Sequence, residues 1–331
     1  PPWFRPLSSV DSLFPVPRAL AYGRRGFILS LLVDRDRWYG APIDTEGNPR
    51  VDAGTWKHLL AVLQQSGFHR LKRRVEVGLM MPREYARLSR VTSLLGFLSP
   101  LILDALGGNP VEASREDDLG FRGPIQVLWW TFVARFADAL TAAGVPYVYV
   151  DGDADPSRLD GLRVLITPSF EFCAPERWRA LTAFAEGGGT VVYGPTMPAL
   201  DLAMRRRLFE VPQRSRRVAI DTDRDAHRAV DDLVRDLGLQ RPFPVGPAPL
   251  ETAVHEDDQG PRLLFLINPA KEPRTATVEL PAPMSLEDTL SGERFAGRAH
   301  VTIPIRGWSC RIFGILEAAD AGSGQAERVA S

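Results

Sequence analysis

An α/β fold class followed by an all-β segment is what this sequence predicts, on three observations. A single strand-then-helix unit occupies the first 70 residues. From Val75 strand-like and helix-like runs alternate, and after the stretch RPFPVGPAP the helical pattern stops and short strand-like runs separated by turns replace it. A chain of 331 residues has room for two or three such domains.

The elements follow in order. Phe27 to Val33 (FILSLLV) reads as one buried strand, and Asp52 to Gln65 reads as a helix with Trp56, Leu59, Leu60 and Leu63 at helical spacing. The preceding SSVDSLFPVPRALAYG has helical composition, but Pro15 and Pro17 would each cost about 3 kcal/mol inside a helix, so any helix there is short or kinked. Strands are expected at Val75–Met81, Tyr147–Asp151, Leu162–Thr167 and from Thr190 (TVVYG). Between them, Gln126–Ala143 aligns Leu128, Phe132, Phe136, Leu140 and Ala143 on one helical face. A second helix starts at Pro175, turns Trp178, Leu181 and Phe184 inward and stops at Gly187–Gly189. Trp129 and Trp130, adjacent on a helix, cannot both face one core. This alternation predicts a mostly parallel sheet covered on both faces. Strands at Leu250–His255, Leu263–Ile267, Thr275–Leu280, Val301–Ile305 and Cys310–Ile315 then predict a small antiparallel β-sandwich. The expected division is 1–74, 75–240 and 241–316, with 317–331, rich in Ala, Gly and Ser, as a disordered tail.

Composition narrows the function. Hydrophobic residues make up 44% and charged residues 24%, and a net charge of -1 gives no field that would attract nucleic acid or an anionic membrane. Cys173 and Cys310 are too few for a disulfide framework or a four-cysteine zinc site, which fits a reducing, cytoplasmic setting. No run approaches the roughly 20 apolar residues of a membrane span, and no basic-then-apolar leader is present. The chain opens on PPWFRP without an initiator Met, and so reads as a piece of a longer polypeptide.

Candidate chemistry gathers after the first strand. Asp34, Arg35, Asp36, Arg37, Trp38 and Tyr39 crowd its carboxyl end, the place where catalytic loops gather in a (β/α)8 barrel. Trp38 and Tyr39 offer flat faces for stacking on a sugar ring, and Arg35, Asp36 and Arg37 offer directed hydrogen bonds to hydroxyls. The plain alternative is a surface loop laced by Arg and Asp ion pairs. Asp34 and Asp36 make a poor acid/base pair, because the interleaved arginines hold both ionised. The histidines (His58, His69, His227, His255, His300) show no metal-ligand spacing, and no cofactor motif appears. SGFHRLKRR (Ser66–Arg74) reads as a solvated basic hinge, with an oligomer contact as the alternative, and ASREDDLGF (Ala113–Phe121) as an acidic loop.

These segments carry a resemblance. ALAYGRRGFILSLLVDRDRWYGAPIDTEGNPR resembles the eighth-strand region of β-galactosidase-type glycoside hydrolases of families 35 and 42, whose catalytic domain is a (β/α)8 barrel. LRVLITPSFEFCAPERWRALTAFAEGGGTVVYGP resembles their flavodoxin-like, class I amidotransferase-like trimerisation domain, and LLFLINPAKEPRTATVEL their small carboxyl-terminal β-domain. The resemblance implies a retaining hydrolase of terminal β-D-galactosides that needs no metal or cofactor and assembles as a homotrimer, in which the acidic loop approaches a neighbouring subunit's active site. It makes Arg35, Asp36, Arg37, Trp38 and Tyr39 sugar contacts or pocket rim. Such enzymes use two carboxylates at the ends of the fourth and seventh barrel strands, so neither is expected in this chain. A non-catalytic sugar-binding or assembly protein is the main alternative. A weaker one is an amidotransferase-like hydrolase using Cys173, but where the family's nucleophile elbow reads Gly-x-Cys-x-Gly this chain has Gly194, Pro195, Thr196, Met197 and Pro198, and Cys173 reads as a buried, inert thiol.

Overall fold

The computed structural model describes residues 13–29, 31–35, 40–91 and 120–317. They form two compact units, Val75–Gln240 and, as the other, the described residues up to Arg74 together with those from Arg241 onward.

The Val75–Gln240 unit is built on five parallel strands: β1 (Val77–Met81), β2 (Tyr147–Asp151), β3 (Val164–Ser169), β4 (Thr190–Pro195) and β5 (Ser215–Arg217). Their order, β2-β1-β3-β4-β5, is the flavodoxin-like order with its switch point between β1 and β3. Strand periodicity sorts the side chains. Val77, Leu79, Val164, Ile166 and Val192 pack under helices α3 (Arg83–Val91), α4 (Ile125–Ala142) and α6 (Asp223–Leu237), while Met80, Leu165, Val191 and Tyr193 pack on the opposite face under α5 (Pro175–Glu186). On α4, Trp129 is buried and its indole N–H donates to Ser89 Oγ at 2.8 Å, whereas Trp130 is exposed. Leu128, expected on the inner face, is exposed instead.

The second unit contains the sandwich. An antiparallel sheet in the order β11-β10-β13-β8-β7 faces a three-stranded sheet in the order β12-β9-β6. The strands are β6 (Val245–Gly246), β7 (Glu251–Asp257), β8 (Gly260–Asn268), β9 (Arg274–Glu279), β10 (Met284–Asp288), β11 (Arg294–Gly297), β12 (His300–Ile305) and β13 (Ser309–Glu317). Leu264, Leu266, Leu286 and Phe313 from the larger sheet meet Ala276, Val278, Val301 and Ile303 from the smaller. The outer face of the larger sheet, at Ala253, Leu263, Phe265 and Ile267, is covered by α1 (Pro15–Ala21), by α2 (Val51–Gln65) and by the turn that follows α2, through Leu20, Trp56, Leu59, Phe68 and Leu71. Both faces of β8 are thus buried, and Leu263–Asn268 reads as an unbroken apolar run closed by Asn268.

Three expectations are corrected. Phe27–Val33 forms no strand among its described residues: only an isolated bridge, Val33 to Ile43, is present. A strand needs neighbours for its N–H and C=O groups, and no described strand flanks this one; Ile28 stands 95% exposed and Leu32 and Val33 are also exposed. The helix Val51–Gln65 buries Val62 where Leu60 was expected. α1, by contrast, is short as expected, seven residues starting at Pro15. The run Ser66–Arg74 is not a solvated hinge: Phe68 and Leu71 enter the core, and Lys72 N and O pair with Glu256 O and N of β7, each at 2.8 Å.

Candidate functional site

The loop between Leu32 and α2 is fixed from its ends. Asp34 N donates to Ile43 O at 2.9 Å, and Ile43 N donates to Leu32 O at 3.1 Å. The Asp34 carboxylate, on a residue 3% exposed, accepts from Ala41 N through Oδ1 at 2.7 Å and is ion-paired through Oδ2 with Arg50 Nη2 at the start of α2. Arg50 N in turn donates to Pro42 O at 2.8 Å. Asp44 ties the next turn, with Oδ1 accepting from Asn48 N at 2.8 Å and Glu46 N at 2.9 Å. These bonds hold its carboxyl below the usual carboxylate range. Gly47 takes φ 89°, which a side chain would strain.

This lacing defines what Asp34 can do. Both of its oxygens are engaged, one by a guanidinium, so it is an acceptor-only anchor and unsuited to general acid work. It holds residues 34 and 41 together at the two ends of the segment carrying the candidate sugar contacts. Of those contacts, Arg35 is exposed and makes no ion pair with another described residue. Asp36, Arg37, Trp38 and Tyr39 lie outside the described residues, as do residues 113–119 of the acidic segment and the tail from 318. The pattern of residue types flagged the loop, but Arg50, sixteen residues from its partner, carried no local signal.

A second polar cluster sits at the switch point of the parallel sheet, where open α/β sheets commonly bind ligands. Glu84 and Tyr85 begin α3 just beyond β1, Thr167 lies in β3, and Arg177 lies in α5. Arg177 is 2% exposed; its Nε donates to Glu84 Oε1 at 2.8 Å and its Nη1 to Thr167 Oγ1 at 3.1 Å. Glu84 Oε1 also accepts from Ala174 N at 3.2 Å. The Tyr85 hydroxyl donates to Phe172 O at 2.7 Å and accepts from Phe170 N at 3.0 Å, and its ring stacks edge-on against both phenylalanines. Burial raises the Tyr85 pKa far above the ordinary phenol range. The crevice is therefore filled by the protein's own side chains.

Cys173 lies against this cluster. Its thiol is fully buried, and burial pushes its pKa up to about 12, so the thiolate is essentially unpopulated at neutral pH. Gly194 in β4 makes a close backbone contact: a Cβ there would stand 1.8 Å from Val218 O of the neighbouring chain segment. Thr196 N donates to Ser169 O at 3.0 Å, which pins that turn to the end of β3. A cleft of about 210 Å³ between β4, β5 and α6 is floored by Val192, Val218 and Leu233, and its Arg216 is neutralised by Asp236 at 2.9 Å. Among the described residues no group of three His, Cys, Asp or Glu side chains could hold a metal ion, and no helix is long and apolar enough to cross a membrane.

No protein-family model and no curated protein matches this sequence. Solved structures do match its fold. Gan42B, a GH42 β-galactosidase from G. stearothermophilus, superposes with a TM-score of 0.64 at 12% identity over 96% of this chain and 52% of its own. The β-galactosidase from Bacillus circulans sp. alkalophilus gives 0.64 at 15% identity over 91% and 51%, and that from Rahnella sp. R3 gives 0.62 at 13% over 95% and 53%. The chain thus spans about half the length of these proteins, and at such identities the likeness is one of fold: it is folded like a part of a GH42 β-galactosidase.

Proposed function

We propose that this chain is the carboxyl-terminal part of a retaining glycoside hydrolase of the β-galactosidase type, the whole of which removes terminal β-D-galactosyl groups. The observation that carries this reading is the shared fold, which extends over 91–96% of the chain in three GH42 β-galactosidases rather than over one widespread domain. The uncovered apolar side chains of Ile28, Leu32, Val33 and Val51 support it: in a barrel the segment Phe27–Val33 would gain strand neighbours and bury them.

In this reading the chemistry is a double displacement. One carboxylate attacks the anomeric carbon while a carboxylic acid about 5 to 5.5 Å away protonates the departing glycosidic oxygen; water, deprotonated by that same group, then releases galactose with retention. Both carboxylates come from elements that precede this chain. Arg35, Asp36 and Arg37 bind sugar hydroxyls, Trp38 and Tyr39 stack on the ring, and Asp34 keeps the segment closed. No metal or cofactor takes part. The Val75–Gln240 unit is the scaffold of a cytoplasmic homotrimer, with Trp130 in or near a subunit contact.

The test is direct. The coding sequence upstream of Pro1 should continue in frame through further strand–helix units bearing two carboxylates, and that longer protein should cleave an aryl β-galactoside while the present chain does not. A start signal with an upstream stop codon at this point, or turnover by the present chain, overturns the proposal. For a Cys173-dependent hydrolase the buried thiol gives no support.

A further inference from the structure

Two connections lie side by side at one end of the sandwich, because β8 pairs with β13 and β9 pairs with β12: residues 269–273 carry the chain from β8 to β9, and residues 306–308 carry it from β12 to β13. Their backbones touch. A Cβ on Gly307 would stand 1.7 Å from Lys271 O, and Trp308 N donates to Ala270 O at 2.8 Å. Asn268, fully buried, binds them together: its Nδ2 donates to Glu272 O at 2.9 Å and Arg306 O at 3.1 Å, and its Oδ1 accepts from Ala270 N at 3.1 Å. Ser309 Oγ closes the turn on Arg306 O at 2.6 Å.

On this rigid tip stands Trp308, at φ 45°, a backbone conformation that L side chains rarely adopt. Its side chain belongs to none of the cores, makes no ring contact with another described aromatic or cationic side chain, and the residue is 46% exposed. Local packing therefore accounts for neither the strain nor the choice of Trp. In the same two connections, the exposed side chains of Lys271, Glu272 and Arg306 make no hydrogen bond or ion pair with any described residue.

We propose that Trp308 is the stacking platform of a saccharide-binding surface at this end of the sandwich. The indole offers a flat apolar face for the C–H-lined face of a pyranose ring, and the side chains of Lys271, Glu272 and Arg306 offer donors and acceptors to ring hydroxyls. Their mixed charge suits a neutral sugar better than an anion or a cation. The ligand class, a neutral oligosaccharide, rests on the carbohydrate-active reading above; the site rests on its own geometry.

The experiment is a titration of the ¹⁵N-labelled chain with galactotriose, following the Trp308 indole N–H signal, identified by its loss in Trp308→Phe, together with the backbone amide signals of Gly307 and Lys271. The Trp308 indole and these amides should move saturably, and in Trp308→Ala the amides should report binding weakened about tenfold or more. Trp308→Gly, which suits the positive φ, should abolish the amide response while leaving the melting temperature unchanged or raised. A stationary Trp308 signal overturns the proposal, as does a Trp308→Gly melting temperature lower by more than about 4 °C, which would assign the residue to packing. A silent Trp308 with an active longer enzyme removes this surface and leaves the hydrolase; a responding Trp308 with an inactive longer enzyme does the reverse.

Discussion

Single side chains in this protein do opposite things with burial. Asp34 is buried because it is fully bonded, so removing it leaves Ala41 N–H without an acceptor and Arg50 without its counter-charge. Since Arg50 is partly in solvent, the loss falls below that of a wholly buried pair. Asp34→Ala should cost about 2 kcal/mol in urea unfolding and Asp34→Asn about 1 kcal/mol, because the amide oxygen can still accept from Ala41. Equal stability of the three proteins would refute the anchoring role. His255 is the contrary case. It packs against the rings of Phe68 and Phe265, with Nε2 3.1 Å from Ala21 O, and burial, aided by the cations Arg73 and Arg25, lowers its pKa from 6.5 to about 4. The folded protein holds it neutral while the unfolded chain takes up a proton below pH 6.5. Its contribution is complete above that pH and is lost as pH falls toward 4, by about 3 kcal/mol. His255→Phe should flatten this part of the stability profile between pH 7 and 4; an unchanged slope would show that other groups cause it.

At the scale of elements, the Glu84–Arg177 pair ties the start of α3 to α5 across the ends of the parallel strands, with both side chains almost completely out of solvent. Glu84→Ala should destabilise the chain by about 3 to 5 kcal/mol by leaving the guanidinium uncompensated, whereas the double replacement Glu84→Met with Arg177→Met should recover much of that loss. Urea midpoints of the three variants decide the matter, and additive losses in the double variant would contradict it. Nothing in the sequence marked this pair, since 93 residues separate its members. Local signals were legible where they were apolar and periodic: Tyr147–Asp151 and Thr190–Pro195 begin where their β-branched runs begin, and α4 and α5 end within a residue of the expected stops. α3 and α6 escaped because charged residues crowd them, four of nine in α3 and eight of fifteen in α6. In α6 the signal was present in the Thr222–Asp225 capping box and in Ala226, Val230 and Leu233 at helical spacing. The strand expected at Phe27–Val33 shows the converse, since strand propensity without a neighbouring strand among the described residues yields no strand there.

At the scale of the whole molecule, each unit has its own cores, so variants at Asp34 or His255 should act on one and variants at Glu84 on the other. The apolar side chains that neither unit covers connect the fold to the proposed function. Ile28 and Val51 are 95% and 96% exposed, and Leu32, Val33 and Leu60 are exposed in the same part of the sequence. Isolated exposed apolar residues are ordinary, but five within residues 28–60 are what a segment made to meet further barrel elements would present. The chain should therefore bind a hydrophobic dye such as anilinonaphthalene sulfonate in its folded state. Replacing Ile28 and Val51 together by Ser should reduce that binding clearly while changing stability by no more than about 0.5 kcal/mol for each substitution, because no described contact is lost. In the longer enzyme the same pair of substitutions should cost several times more, since each would then place a hydroxyl in an apolar interface. Equal and small effects in both proteins would mean that these side chains face solvent in the longer protein too, and the barrel assignment of Phe27–Val33 would fall with them.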